Sequence, residues 1–168
     1  MQTILIAGVL AYGKSYFGTW LAREKNFIHL DVEKESGRCL RELNLMKDWL
    51  ACCQTGQAKD FVERLQNLGK SVVFDWGFPT NCLNVVEALK TAGVQVWWFN
   101  GDHEMARNAF LKRGGLQIQS FDKQVADIRR DWEQIMSVFG PNILKTLMHN
   151  GKYLHPRRIY RYIFVNPT

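Results

Sequence analysis

Short apolar runs alternate with longer amphipathic stretches along the whole chain. Mostly apolar runs at 2–7, 27–30, 71–75 and 94–99 predict strands, and a fifth strand is predicted over Arg158–Val165. Between the strands, apolar residues recur at helical spacing. These stretches predict helices at about Lys14–Arg23, Arg38–Cys53, Ala58–Leu68, Asn81–Ala92, His103–Lys112, Phe121–Phe139 and Ile143–His149. The alternation predicts an α/β domain in which helices cover both faces of a parallel sheet.

A glycine-rich segment follows the first predicted strand directly. Residues Gly8–Ser15 match G-x-x-x-x-G-K-[ST], the phosphate-binding loop, and a helix is predicted to begin at the lysine. Backbone N–H groups of such a loop surround phosphate oxygens, and the N-terminus of the helix adds partial positive charge. We expect Lys14 to reach the β- and γ-phosphates and Ser15 to bind Mg²⁺. The predicted nucleotide-binding residues in this segment are Gly8, Ala11, Tyr12, Gly13, Lys14, Ser15 and Tyr16.

The third predicted strand ends in an acid. Asp75 follows the apolar residues Val72-Val73-Phe74, so its carboxylate is expected at the edge of the sheet near the phosphate loop. There it can hold Mg²⁺ through water, which makes Asp75 a predicted metal residue together with Ser15. A second interpretation is that Asp75 caps the turn that follows it. The two roles are compatible.

The order of these motifs resembles that of the small P-loop kinases, the group that contains gluconate and shikimate kinases, nucleoside and nucleotide kinases, polynucleotide kinase and zeta-toxin-like proteins. The resemblance spans the chain and rests on the phosphate loop, Asp31, Asp75 and the arginines near 107. It implies a P-loop NTPase fold with a five-stranded parallel sheet in the order 2-3-1-4-5. It also implies one domain over 1–168, with an acceptor-binding cap at about 32–68 and a lid at about 103–120.

The same resemblance implies roles for two further side chains. Asp31, at the end of the second strand, would contact the acceptor hydroxyl and act as its base, whereas the plain alternative is a turn residue before 33–37. Arg107 would clamp the phosphates as the lid closes, because a guanidinium binds phosphate oxygens in pairs. The alternative for Arg107 is a surface arginine paired with a neighbouring acid. Further polar residues, for which the solvated interpretation is at least comparable, are Glu33, Glu35, Arg38, Arg41 and Arg113.

Composition narrows the class of protein without identifying a partner. The chain has 168 residues and a net charge of +6, which favours polyanionic ligands but does not separate nucleotides from nucleic acid. No apolar run approaches the ~20 residues of a membrane span, and no basic leader precedes the first strand, so we expect a cytoplasmic protein that does not enter a membrane. The four cysteines and four histidines show no metal-ligand spacing.

The predicted function is that of an ATP-dependent phosphotransferase using Mg²⁺, with Lys14, Asp31 and Arg107 as catalytic residues and an unidentified hydroxyl or phosphate acceptor. A GTPase is disfavoured because Asn100-Gly101-Asp102 lacks the lysine of N-K-x-D.

A nucleotide-binding module without turnover, with a basic surface for a polyanion, remains an alternative. So does a kinase of polynucleotide ends, with Tyr160 and Tyr162 beside Arg161 as candidate stacking residues. In the kinases that the chain resembles, a loop after the last strand lies along the adenine, so the resemblance implies this position for Asn166-Pro167.

Overall fold

Five parallel strands form a single sheet in the order β2-β3-β1-β4-β5 in the computed structural model, which describes residues 1–34, 37–77, 80–114 and 117–165. The strand order is the one that the resemblance implied. The strands are β1 (Thr3–Gly8), β2 (Ile28–Asp31), β3 (Val72–Trp76), β4 (Gln95–Gly101) and β5 (Ile143–Leu147). The sheet therefore confirms the predicted α/β architecture.

Helices connect the strands and cover both faces of the sheet. They are α1 (Lys14–Lys25), α2 (Arg38–Glu42), α3 (Met46–Thr55), α4 (Ala58–Gln66), α5 (Leu83–Thr91), α6 (His103–Arg113), α7 (Ile118–Arg130), α8 (Trp132–Phe139) and α9 (Pro156–Tyr160). A 3₁₀ turn precedes α5 at Thr80–Cys82, and a π-helical turn continues α9 over Arg161–Val165. Within the described ranges, no helix has both the length and the apolar character needed to cross a bilayer.

Two stretches predicted as single helices are each divided in two. The stretch from Arg38 to Cys53 breaks at Asn44, which adopts a left-handed backbone conformation with φ of 55°. The stretch from Phe121 to Phe139 breaks at Asp131, whose carboxylate accepts a hydrogen bond from the Thr80 hydroxyl. In both cases a local polar residue ends a helix that the apolar periodicity alone continues.

The prediction for the fifth strand is wrong in position. The strand is Ile143–Leu147, which was predicted as a helix, and it pairs in parallel with β4 from Trp98↔Ile143 onward. The predicted strand Arg158–Val165 is helical instead. Its buried residues Ile159 and Ile163 lie four apart, as on one face of a helix, and Pro156 occupies a first-turn position where its missing N–H costs nothing. Tyr160 and Tyr162 therefore lie on helical turns and not on an edge strand.

The strand that leads into the phosphate loop lies at the centre of the sheet. β1 is buried throughout and pairs with β3 on one side and β4 on the other, as in Thr3↔Val72 and Ile4↔Gln95. Its last residue, Gly8, has φ of 141°, and a Cβ there would lie 2.3 Å from the carbonyl oxygen of Phe99. A side chain at this position is excluded by β4, so the chain passes close against β4 as it enters the loop.

Aromatic packing on both faces fixes the helices that surround the loop. On one face, Phe17 of α1 packs against Phe99 of β4. On the other, Trp98 packs edge-on against Trp132 and Phe139 of α8. Burial of side chains of this size stabilises the fold by roughly 1.5–3 kcal/mol each. The consequence for function is that α1 is held with its N-terminus at the carboxyl edge of the sheet.

Candidate active site

The phosphate loop is supported from outside by hydrogen bonds to its carbonyl groups. Thr146 Oγ1 donates to the Tyr12 carbonyl at 2.8 Å, and Tyr153 Oη donates to the Ala11 carbonyl at 2.7 Å. A trans peptide carries its C=O and N–H on opposite sides, so the N–H of Gly13 points away from Thr146. Ala11 adopts a left-handed conformation with φ of 64°. This backbone geometry is that of a concave loop suited to an anion.

Lys14 lies inside the loop and not on its surface. Its Nζ donates hydrogen bonds to the carbonyl oxygens of Gly8 at 2.9 Å and Val9 at 3.1 Å, and the side chain is buried. Burial lowers the pKa of Lys14, whereas the negative charges of Asp75, Glu33 and Asp31 oppose that shift. The cation is thus held among acids at the point where the predicted phosphates would bind.

The Ser15 hydroxyl lies between Asp31, at the end of β2, and Asp75, next to the end of β3. Ser15 Oγ is 3.1 Å from Asp75 Oδ1 and 3.3 Å from Asp31 Oδ2, and its single proton serves one of them at a time. Asp31 and Asp75 are directly opposite in the β2–β3 register, which brings both carboxylates to the same edge of the sheet. The structure therefore brings together the predicted metal residues Ser15 and Asp75 with the predicted acceptor residue Asp31.

A hydroxyl and two carboxylates form a set of hard oxygen donors, which fits Mg²⁺. In the described part of the chain, no group of three or more His, Cys, Asp or Glu side chains is arranged to hold a metal ion by itself. Magnesium bound with phosphates needs only one or two protein ligands, because phosphate oxygens and water complete its octahedron. The residues present therefore fit a magnesium ion that arrives with a nucleotide.

Sequence reasoning missed His29. Its Nε2 lies 2.6 Å from Asp75 Oδ2, and its ring occupies a space beside Gly18 of α1, where a Cβ would lie 2.3 Å from the His29 ring. Glycine inside a helix costs about 1 kcal/mol relative to alanine, and here it makes room for the imidazole. The signal was available, because His29 is a polar residue in an otherwise apolar strand and lies two positions before Asp31 on the same strand face.

Two hydrogen bonds join Glu33 and α7 to the segment that follows β3. Glu33 accepts from the Gly77 N–H at 2.9 Å, and Gln124 Nε2 donates to the Gly77 carbonyl at 3.0 Å. Burial of its carboxyl group raises the pKa of Glu33, while the Gly77 N–H and Lys14 act in the opposite direction. Glu33 thus supports the site from the loop after β2. The neighbouring candidate Glu35 lies outside the described residues.

The structure does not bring Arg107 to the phosphate loop. Its guanidinium binds Asp122 of α7 with two hydrogen bonds, Nε–Oδ1 at 2.9 Å and Nη2–Oδ2 at 3.1 Å. This ion pair lowers the pKa of Asp122 and lies beside a separate cavity of about 370 Å³ between α6 and α7. Arg113, six residues later on α6, lines the cavity at the phosphate loop instead.

Two neighbouring cavities meet at Asp31. The first, of about 410 Å³, is lined by Leu10, Ala11, Gly13, Lys14, Ser15, Asp31, Glu33, Lys34, Asp75, Gly77, Arg113 and Gln124. The second, of about 300 Å³, is lined by Ser15, Thr19, His29, Asp31, Lys34, Arg38, Cys39 and Glu42. Ser15, Asp31 and Lys34 are common to both. Arg38 also pairs with Glu42 at 2.8 Å. A hollow of about 890 Å³ between α4 and α5 contains none of the predicted site residues.

Tyrosines surround the outer side of the loop. Tyr12 is buried, and its hydroxyl lies 2.5 Å from His103 Nδ1 and 3.2 Å from the Gly101 carbonyl oxygen. Burial raises the pKa of Tyr12. Tyr16 is exposed and its ring lies 6.4 Å from that of Tyr153, which also covers Gly13. The predicted adenine-side residues Asn166-Pro167 lie outside the described residues.

The cysteines and the remaining aromatic and basic candidates are packed in the fold or exposed at its surface. The cysteines are free thiols: Cys52 is buried, and Cys39, Cys53 and Cys82 are half-buried. Tyr160 packs edge-on against Trp20 of α1 and Lys25 lies over its ring, whereas Tyr162 is exposed. Arg41 is exposed on α2.

Comparison with protein-family models gives no match, and comparison with curated protein sequences gives no significant match. Comparison with solved structures does. A shikimate kinase from Bacteroides thetaiotaomicron matches with a TM-score of 0.54 at 12% identity, covering 86% of this chain and 85% of that one. A shikimate kinase from Aquifex aeolicus vf5 matches with a TM-score of 0.50 at 18% identity, covering 98% and 94%.

The protein TT1252 from Thermus thermophilus also matches, with a TM-score of 0.53 at 15% identity, covering 99% of this chain and 98% of that one. At these identities the likeness shows the fold alone. The chain has the fold of the small P-loop kinases.

Proposed function

We propose that the chain is an ATP-dependent phosphotransferase that moves the γ-phosphoryl group of Mg-ATP to a hydroxyl or phosphate acceptor. The observation that carries this proposal is the position of the Ser15 hydroxyl, 3.1 Å from Asp75 and 3.3 Å from Asp31, beside the buried Lys14 of the phosphate loop. Oxygen ligands for a metal, a cation for phosphates and an acid facing a second cavity then lie within one small region.

In this proposal the nucleotide occupies the 410 Å³ cavity. Backbone N–H groups of the loop and the Lys14 ammonium bind the phosphates, and Tyr16 lies at the outer rim. Ser15 and Asp75 hold the magnesium ion, which when bound neutralises charge on the phosphate oxygens. Preference for ATP over GTP rests on the absence of the guanine-reading N-K-x-D pattern from the sequence.

The acceptor would enter from the 300 Å³ cavity, with segment 32–68 as its cap. Asp31 lines both cavities, and its Oδ1 accepts hydrogen bonds from the N–H groups of Glu33 at 3.3 Å and Lys34 at 2.9 Å. These bonds orient the carboxylate so that Oδ2 faces Ser15. We assign Asp31 the positioning and deprotonation of the acceptor hydroxyl. Replacement by asparagine should lower kcat by about 10²–10⁴-fold, as loss of a general base does.

Arg113 is the arginine that we assign to the transferred phosphoryl group, because it lines the nucleotide cavity from α6. Lys14 and Arg113 line the same cavity, and the charge of Arg113 contributes to lowering the pKa of Lys14. Two nearby cations suit a triphosphate, whose negative charge would offset their repulsion. In this proposal 103–120 acts as the lid, and the Arg107–Asp122 pair joins the lid helix to α7.

The test is a screen for transfer of labelled γ-phosphate from ATP to nucleosides, nucleotides, sugars and oligonucleotide ends. We expect transfer to one of these classes and its loss in Lys14→Met, with the fold of the variant checked by circular dichroism. Binding of ATP detected by thermal shift, without transfer to any acceptor, would favour the nucleotide-binding module that does not turn over. Equal transfer by Lys14→Met would overturn the proposed site.

We propose a second candidate function, binding of a nucleic-acid backbone, which is favoured by the exposed side chains of α9 and of the π-helical turn that continues it. The helical conformation buries Pro156, Ile159 and Ile163 and leaves Arg157, Arg158, Arg161 and Tyr162 exposed. The sequence after Glu133 contains no acidic residue and five basic ones, Lys145, Lys152, Arg157, Arg158 and Arg161. It therefore contributes a charge of +5 to the net charge of +6. Clustered arginines with an exposed aromatic ring are typical of single-strand binding surfaces.

This candidate is tested by fluorescence anisotropy with a labelled single-stranded RNA or DNA oligonucleotide over a range of salt concentrations. Replacing Arg157, Arg158 and Arg161 by glutamine should weaken binding and reduce the slope of log affinity against log salt by about 2. The matched control replaces the exposed Lys47, Lys59 and Lys123 by glutamine, with the same change in net charge. Equal effects of the two triple variants would show that only net charge matters.

A further inference from the structure

We infer that His29 is a positioning residue for the magnesium ion, because it binds one oxygen of Asp75 and keeps the other turned toward Ser15. The inference rests on the proposed use of Mg-ATP at this site. The two oxygens of Asp75 have separate partners: Oδ2 lies 2.6 Å from His29 Nε2, and Oδ1 lies 3.1 Å from Ser15 Oγ. Rotation of the carboxylate would break both contacts.

The placement of the imidazole follows from the register of the sheet. Asp31 lies opposite Asp75, and His29 lies opposite Val73, in the parallel pairing of β2 with β3. Residues two apart on a strand point to the same face, so His29, Asp31 and Asp75 all point toward α1. His29 lies one same-face position before Asp31 and from there contacts Oδ2 of Asp75, while Oδ1 contacts Ser15.

The helix opposite leaves space for the ring in this orientation. A Cβ at Gly18 would lie 2.3 Å from His29 Cδ2 and 2.4 Å from its Nε2, so the imidazole lies directly against the backbone of α1. The His29 side chain is 14% exposed and the Asp75 side chain 4% exposed. The contact between them is therefore largely buried.

This geometry has a direct consequence for metal affinity. A carboxylate that binds a metal, directly or through water, holds it best when its own orientation is fixed by a hydrogen bond on the far side, and removal of such a partner typically weakens metal binding by 10–100-fold. Binding of the nucleotide phosphates without metal depends on the loop and on Lys14. Among the described residues, His29 makes no hydrogen bond to either. Loss of His29 should therefore affect the metal and not the metal-free nucleotide.

The experiment compares His29→Leu, which removes the hydrogen bond, with His29→Gln, whose amide N–H can reach a similar position. Manganese replaces magnesium as a probe, and its binding in the presence of a non-hydrolysable ATP analogue is titrated by electron paramagnetic resonance. We expect about 10–100-fold weaker Mn²⁺ binding in His29→Leu and recovery of most of it in His29→Gln. Binding of the analogue in EDTA should change less than about twofold in either variant.

A control histidine and a second variant of His29 complete the experiment. His149→Gln, an exposed histidine away from Asp75, is the matched control and should leave Mn²⁺ binding unchanged. If His29→Leu does not fold, His29→Asn takes its place, since its shorter amide does not reach Asp75. Unchanged Mn²⁺ affinity in the leucine or asparagine variant, or equal losses with and without metal, would overturn the inference.

Measurements on the wild-type protein separate the role of His29 from the proposed phosphotransferase activity. A wild-type protein that binds Mn²⁺ with the nucleotide but transfers no phosphate overturns the phosphotransferase, and the effect of His29 is still measured. A wild-type protein that binds no Mn²⁺ with the nucleotide overturns both.

Discussion

Gln124 of α7 accepts a hydrogen bond from the backbone N–H of Leu10 in the phosphate loop, with Oε1 and N separated by 3.0 Å. The other end of the same amide donates to the Gly77 carbonyl after β3. One side chain thus joins the loop that follows β1 to the segment that follows β3. Two sides of the cavity at the phosphate loop are thereby held together by a residue 114 positions away from Leu10.

Replacing Gln124 by alanine should loosen this junction. Loss of the two hydrogen bonds should destabilise the protein by roughly 1–3 kcal/mol and weaken ATP binding about fivefold or more, because the Leu10 N–H loses its partner. Chemical denaturation and calorimetric titration measure the two effects. Gln119→Ala, an exposed glutamine on the same helix, is the control; if it has the same effect, the junction is unimportant.

The two arginines of α6 should differ in their effects on catalysis. Arg113→Ala should lower kcat by about 100-fold, the loss expected when one group that stabilises the transferred charge is removed. Arg107→Ala breaks an exposed pair with Asp122 and should lower the melting temperature slightly, with kcat nearly unchanged. The opposite ranking of the two kcat values would return the catalytic role to Arg107.

Much of the site could be predicted because it depends on local sequence. The loop motif and the acids at or next to the ends of β2 and β3 can be recognised one segment at a time, and the parallel sheet then brings these ends together. The roles of the arginines could not be read in this way. Whether Arg107 or Arg113 faces the cavity depends on the rotation of α6 against α7 and on the acid at Asp122, which is distant in sequence.

The wrong prediction for the fifth strand has a similar physical origin. Ile143-Leu144-Lys145-Thr146-Leu147 is amphipathic enough for a short helix, and the open edge of β4 decides in favour of a strand. Conversely, the aromatic residues of Tyr160–Phe164 suit a strand by propensity. They form helical turns because Tyr160 packs on Trp20 and Phe164 packs on Phe27. Both partners lie in the N-terminal part of the chain, far away in sequence.

Two glycines with positive φ should tolerate alanine very differently. Gly8 combines φ of 141° with a 2.3 Å approach to the Phe99 carbonyl, whereas Gly69 has φ of 73° and open space around its Cβ position. Gly69→Ala should cost roughly 1–2 kcal/mol from backbone strain alone. Gly8→Ala should cost clearly more, because β1 must also move away from β4. Urea denaturation of both variants measures the difference, and equal costs would mean that the sheet relaxes around the new methyl group.

Two histidines near α6 should affect stability in opposite directions with pH. Burial and the charge of Arg129 lower the pKa of His103, although Asp102 opposes this, so its contribution is complete above the unfolded pKa near 6.5 and is lost as pH falls through the folded value. The hydrogen bond to Asp102 raises the pKa of His149, whose contribution is complete below about 6.5 and is lost as pH rises through its folded value.

Melting temperatures of His103→Asn and His149→Asn between pH 5 and 8 measure these contributions. His103→Asn should flatten the loss of stability of the wild type on the acid side of about pH 6.5. His149→Asn should remove stability mainly on that acid side, and its difference from the wild type should shrink as pH rises. If both variants shift the curve by a constant amount, neither histidine changes its charge on unfolding.

The central position of β1 has a consequence for folding. Its partners begin at Val72 and Gln95, so the strand that carries the phosphate loop makes no sheet contact until distant parts of the chain have folded. Contacts of such long sequence separation slow folding and make the loop a late, cooperative feature. Local opening cannot release β1 without breaking the sheet, so its amide hydrogens should exchange with solvent only on global unfolding. A ligand of this loop would therefore protect the whole domain against unfolding.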